Sequence, residues 1–482
     1  MKSLFAGLVL CGSLLQTVDN LYAQADCNCT ETFKWVKETF EKNDAGFQYA
    51  LEQKGKDLYA KHNTLFTAKV KPIKDKYKCA DVLNEWLKFF RKGHLGISAL
   101  GNGPAQSANI TKWPVLPVTE AQLRNMHVTD TSGLFTGIWK TGAYSIGIVK
   151  QNKGYKGVIL ESGNPSWKYQ QVKMEMKDDN TGTYYMGDFS PINFSKVEWL
   201  SKNMIRLTPA ITLQRVYPVY PEDEDIQLYV KAMTADKPFI QELSDQTLLF
   251  RIPSFGGAQK PFIDSVIREF SSLIKSRKNL VIDIRNGTGG DDVSFDNIIP
   301  LLYTNPIRIV DMEFLSTPLN NKRMEAYLEI PNLSEKNRQE VHAILKLLNE
   351  NLGKFVHLKK GRYVDIEKMD TVFPNPAQVA IIANKNNGST DEQFLLAAKQ
   401  SKKVKIFGES TFGVLDISNM HFVKSPDQKF ELGYCLSKSF RIPGMAIDGI
   451  GVQPDYFMDR SIPDAQWLKY VVSVLENREF VQ

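Results

Sequence analysis

The chain has 482 residues, 43% of them apolar, and a formal charge of +6, enough length for two or three domains with substantial cores. The charge is spread in short basic runs, such as 69–74 and 359–362, that read as solvated faces, and no nucleic-acid motif accompanies them. Beyond the first residues no apolar run approaches membrane-spanning length, so neither a nucleic-acid binder nor an integral membrane span in the mature chain is expected.

Residues 1–25 read as a signal peptide. Lys2 gives a positive start, Leu4 to Leu15 an apolar core, and Ala23-Gln24-Ala25 a small-residue cleavage region. An exported protein is expected, periplasmic or extracellular. Four cysteines follow, Cys27, Cys29, Cys79 and Cys435, in a setting that permits disulfides. Cys79 opens one predicted helix and the Cys27/Cys29 pair precedes another, so a staple from Cys79 to Cys27 or Cys29 is expected. No histidine lies at ligand spacing from the pair, so no metal is expected there.

Residues 26–112 read as a helical segment. Phe33, Val36 and Phe40 carry helical spacing, as does the apolar pattern from Ala80 to Phe90. That second helix is expected to end at Arg91-Lys92-Gly93, with His94 immediately after it. Residues 113–243 change to short alternating or apolar runs between Gly, Asn and Asp turns, including Ile226-Gln227-Leu228-Tyr229-Val230. A β-rich domain is expected, a barrel or sandwich without catalytic motifs, standing apart from the active site and controlling access to it.

From about residue 244 to 482 the texture is α/β. Asn279-Leu280-Val281-Ile282-Asp283-Ile284-Arg285 reads as a buried strand running into Asn286-Gly287-Thr288-Gly289-Gly290, where glycines let backbone N–H groups approach a ligand. The spacing matches no phosphate-binding loop, and no cofactor is expected. Val379-Ala380-Ile381-Ile382-Ala383 is a second buried strand. A turn, Asn384 to Gly388, follows, then Ser389 at the start of a helix running from Thr390. Ser389 with Glu392 satisfies a capping-box pattern, which needs no chemistry. The same position also suits a nucleophile, since a hydroxyl at a helix start is exposed beside N–H groups able to stabilise an oxyanion.

Four segments, taken in order, resemble the C-terminal processing peptidases, or tail-specific proteases, a family of serine peptidases. They are Asp283-Ile284-Arg285 with its glycine turn, Ser389-Thr390-Asp391-Glu392, Gly408-Glu409-Ser410-Thr411-Phe412-Gly413, and Asp448-Gly449-Ile450-Gly451-Val452-Gln453-Pro454-Asp455. The resemblance implies an α/β catalytic domain of crotonase-like ββα units over 244–482 and makes Ser389 the nucleophile. Many members pair that serine with a lysine directly after the TFG sequence. Here the position is Val414, so the dyad is absent.

The tricorn-like branch uses instead a histidine from an N-terminal segment, which the resemblance places at His94 in Gly93-His94-Leu95-Gly96. An acidic residue that orients the histidine falls on Asp448, where glutamate is usual. The branch's bridging serine is Gly93 here, so the relay runs either directly or through water. An oxyanion hole from Gly289 or Gly290 N–H together with Thr390 N–H completes the implied site.

The implied activity is hydrolysis of peptide bonds in a peptide or protein substrate. In place of the family's PDZ module stands the β-rich stretch, without a recognisable carboxylate-binding loop, which argues against recognition of free C-termini. The competing readings are a non-catalytic peptide- or small-ligand-binding protein on the same fold, which loss of the lysine would suit, and an inactive scaffold.

Overall fold

The computed structural model describes residues 27–101, 113–125, 134–359, 361–477 and 479, so the leader expected at 1–25 lies outside the described residues. Three sheets carry most of the chain. The site depends on two of them.

The N-terminal helices are Cys29–Asn43, Phe47–Lys54, Lys56–Val70 and Lys76–Leu87. Phe33, Val36 and Phe40 pack on Leu83 and Trp86, with the Phe40 and Trp86 ring centroids 6.0 Å apart in an edge-to-face pair. Cys29 is the disulfide partner of Cys79, tying the first of these helices to the last. The last helix stops at Leu87 rather than running on to Arg91, so residues 88–95 are free to turn. This segment is not a separate body. Its core continues into Phe430, Leu432, Tyr434 and Leu436, and its final strand, Gly96–Ala99, pairs antiparallel with Phe430–Ser439. On the opposite edge of Phe430–Ser439 lies Ile417–Lys424.

Between residues 137 and 217 nine strands form one antiparallel sheet, with Pro191–Phe194 and Glu198–Ser201 as its two ends. Its own core, around Trp139, Ile146, Met174 and Leu213, is separate from the others. Ile226 to Val230, expected as a strand, lies instead in the helix Glu224–Thr234. Asp223 caps that helix by accepting from Ile226 N–H at 2.8 Å, and Glu224 and Asp225 fill its first turn. Its buried residues Tyr229, Ala232 and Met233 follow helical spacing. The alternation of Ile226, Leu228 and Val230 was outweighed by this acidic cap.

The C-terminal region is α/β around a six-stranded sheet. Its order is Phe239–Glu242, Thr247–Arg251, Asn279–Asp283, Gln378–Ala383, Val404–Gly408 and Tyr456–Phe457. All neighbours are parallel except the first pair. The central strands are apolar on both faces, as a covered parallel sheet requires: Leu280, Ile282 and Ile381 face one core, while Val281, Ala380 and Ile382 face the other. Because Asn279–Asp283 and Gln378–Ala383 are adjacent and parallel, the glycine turn and the serine turn leave the sheet from the same edge, the usual place for a site in such sheets.

Candidate active site

Side-chain amides stitch these two turns together. Asn384 accepts from Asn286 N–H (3.1 Å) and donates back to the Asn286 side-chain oxygen (2.9 Å), while Asn387 donates to the Ile284 carbonyl (2.7 Å). Ser389, half-buried, follows with φ 59° and ψ −121°, a backbone state rare for a residue with a side chain. A sharp strand-to-helix turn of this kind presents a serine hydroxyl outward. The capping box is also present, with Glu392 accepting from Ser389 N–H at 3.2 Å. Since the Ser389 carbonyl already accepts from Glu392 N–H at 2.9 Å, the hydroxyl is not required for that purpose.

The glycine turn comes as close as chemistry allows. A Cβ on Gly289 would sit 2.8 Å from the Ser389 Cβ, so only glycine fits. The Gly289 N–H, however, points to the Asp391 carboxylate at 3.2 Å. Among the described residues the Gly290 N–H and the Thr390 N–H have no acceptor, and Thr390 opens the helix Thr390–Ala398. Gly290 and Thr390 thus offer two unengaged N–H donors beside Ser389, while Gly289 supplies the close approach.

Glu392 does far more than cap a helix. It is fully buried, and besides Ser389 N–H its carboxylate accepts from the Thr411 hydroxyl, from Gly413 N–H at 2.7 Å and from Val414 N–H at 2.8 Å. The serine turn is thus fastened to the loop 411–414. Val414 in that loop then bridges the two halves of the site. Its Cγ2 lies 2.8 Å from where a Cβ on Gly388 would be, and its Cγ1 lies 2.9 Å from where one on Gly93 would be. The residues next to Ser389 and next to His94 accordingly meet across a single side chain.

His94 sits at φ 55°, again outside the usual range. Arg91 holds it there by donating to the Gly93 carbonyl (3.2 Å) and the His94 carbonyl (2.7 Å), with the other side of its guanidinium forked onto buried Asp44 at 2.7 and 2.6 Å. His94 Nδ1 lies 2.8 Å from the Ile417 carbonyl. A carbonyl only accepts, so Nδ1 carries the proton and Nε2 keeps the lone pair. Burial lowers the imidazole pKa below its ordinary value; the Ile417 hydrogen bond opposes this, nearby Arg91 adds to it and Asp448 opposes it.

Asp448 is in the neighbourhood but does not touch the ring. Its carboxylate accepts from Leu415 N–H (2.6 Å), Asp416 N–H (2.7 Å) and Ile417 N–H (3.1 Å). Asp416 returns the arrangement, accepting from Ile447 N–H (2.5 Å) and Asp448 N–H (2.9 Å), and it is ion-paired to Arg441 at 2.6 Å. Asp448 thus reaches His94 through the backbone whose Ile417 carbonyl holds Nδ1. His421, a further histidine of the same region, is in Ile417–Lys424 with its ring edge-on to Tyr434. Sequence reasoning missed Asp391, the Arg91–Asp44 fork and the wider part played by Glu392. Only Glu392 had a readable signal, as an acid three residues after the serine.

Residues 246–458 match the profile of Peptidase family S41. This region belongs to that family. Ser389, Thr390, Gly289, Gly290, Glu392 and Asp448 lie inside the S41 region, and His94 lies outside it. Among solved structures, a substituted form of CPAF aligns at 13% identity over 94% of this chain and 99% of that one, with a TM-score of 0.50. The photosystem II D1 C-terminal processing protease aligns at 13% identity over 93% and 97%, with a TM-score of 0.38. The tricorn protease aligns at 11% identity over 93% of this chain and 36% of that one, with a TM-score of 0.40. At 13% identity the likeness to CPAF is one of fold alone. No curated protein matches the chain in sequence.

Proposed function

We propose that the protein is an exported serine peptidase in which Ser389 is the nucleophile and His94 its general base. As Ser389 Oγ attacks the peptide carbonyl, Nε2 of His94 takes the hydroxyl proton and passes it to the departing amine. Water then adds to the acyl-enzyme by the same route, releasing the acid and restoring the serine. The carbonyl oxygen, negative in the tetrahedral species, is met by the N–H groups of Gly290 and Thr390. Asp448 supports the imidazolium that forms, both by its charge and by fixing residues 415–417.

The observation that carries this reading is the Nδ1–H bond to the Ile417 carbonyl at 2.8 Å, which leaves the basic nitrogen of a neutral ring on the other side. The convergence on Val414 supports it. Export is favoured by the Cys29–Cys79 disulfide. Reaction with a fluorophosphonate probe tests the function. Modification is expected on Ser389 in the wild type and absent in Ser389→Ala. A wild-type protein that stays unmodified, or reacts at another serine, would leave a binding protein on the same fold as the better account.

A further inference from the structure

Asp391 is the second residue of the helix that Ser389 opens, and it is 1% exposed. An acid in a first helical turn commonly just complements the helix dipole at the surface. This one is turned inward. Oδ2 accepts from Gly289 N–H at 3.2 Å and from Asn387 Nδ2 at 2.9 Å, whereas Oδ1 has no hydrogen-bond partner. Both oxygens lie within 2.9 Å of where a Cβ on Gly287 would be, so glycine at 287 is what admits the carboxylate beneath the turn.

We infer that Asp391 is a positioning residue: by holding the Gly289 N–H inward it fixes the peptide plane between Thr288 and Gly289, and with it the turn from which Gly290 N–H faces the reacting carbonyl beside Thr390 N–H. The inference rests on the peptidase reading above. The turn needs such an anchor. Gly289 at φ 80° and Gly290 at φ 153° are successive glycines without side chains to resist rotation; the Phe255–Gly290 bridge, with Asp291 N–H on the Phe255 carbonyl at 2.9 Å, holds the turn after Gly289, and Asp391 holds the peptide before it.

Packing alone does not account for Asp391. Burial pushes its carboxyl up to about 6, against the hydrogen bonds from Asn387, Gly289 and Gly388. The charged groups facing it are Glu392 on its own helix, which pushes in the same direction, and buried Arg251 from the neighbouring strand. A folded pKa above the unfolded one means that Asp391 destabilises the fold once pH rises through that interval. A residue kept ionised at neutral pH against stability, with one oxygen unpaired, is accounted for by what its other oxygen holds.

The test is the rate of fluorophosphonate labelling against pH for the wild type and Asp391→Leu, which removes the acceptor at similar size, with melting temperature measured alongside. The substitution is expected to slow labelling at pH 8 by about tenfold or more while leaving the melting temperature unchanged or higher; a merely structural role would lower both. In the wild type the acid side of the log rate profile is expected to reach a slope of about two, because His94 must be neutral and Asp391 ionised, and a slope of about one in the variant. Wild-type labelling by the variant, or a slope of one in the wild type, overturns the inference. Should the variant not fold, the wild-type slope alone decides. No labelling of the wild type at any pH overturns the peptidase reading and the inference with it.

Discussion

Two residues of the site, Ser389 and His94, hold backbone angles that side chains avoid, and each is held by hydrogen bonds, of which only the capping-box bond from Ser389 N–H to Glu392 was legible in the sequence. For the serine that hold is Glu392. Replacing Glu392 with Ala would leave the Gly413, Val414 and Ser389 N–H groups without their buried acceptor, at about 1–3 kcal/mol for each buried group left unpaired. A loss on the order of 3 kcal/mol or more in urea unfolding is expected; a loss below 1 kcal/mol would show that water replaces the carboxylate. For the histidine, the direction of the pKa shift sets the pH dependence. A ring whose pKa lies below 6.5 is mostly neutral at pH 7 and protonates only as pH falls further, so labelling should hold at pH 7 and fall on acidification below it as His94 protonates. A rate already halved at pH 7.5 would contradict this.

At the scale of elements, the apolar runs were the reliable signals. Asn279–Asp283 and Gln378–Ala383 are buried on both faces, so each reads as a largely apolar stretch and was legible. The helix Glu224–Thr234 was not, because its short apolar alternation resembles a half-buried strand and only the Asp223 cap separates the two. The staple was legible to within one choice, and the sequence could not decide between Cys27 and Cys29, which are two residues apart. Closing the 50-residue separation from Cys29 to Cys79 should stabilise by about 4 kcal/mol in the chain-entropy treatment. Cys79→Ser is therefore expected to lower unfolding stability by about that amount, and an equal loss from Cys27→Ser would argue against Cys29 as the partner.

Over the whole molecule, His94 comes from outside the region that matches Peptidase family S41 and Ser389 from within it. The turns that carry them come together on Val414 because the N-terminal helices share a core with Phe430–Ser439, and because Asp44, just past the first helix, takes the guanidinium that grips His94. The glycine–histidine motif and the serine turn could be read from the chain. Their actual supports, a backbone carbonyl at Ile417 and a guanidinium at Arg91, could not, since neither depends on a local pattern. Arg91→Met would strand Asp44 as a buried unpaired charge, costing about 3–5 kcal/mol, and should slow labelling of Ser389 as well. Labelling at the wild-type rate in a destabilised Arg91→Met protein would mean that the fork serves the fold alone.

The claim on which the rest depends is that His94 serves Ser389, and the His94→Ala labelling rate tests it most directly. Removing the base of such a pair typically costs several orders of magnitude, so a fall of about 1,000-fold or more is expected, toward the absence of labelling in Ser389→Ala. A His94→Ala protein that folds, keeps its Cys29–Cys79 disulfide and still labels at Ser389 within a few-fold of the wild type would mean that another group takes the proton.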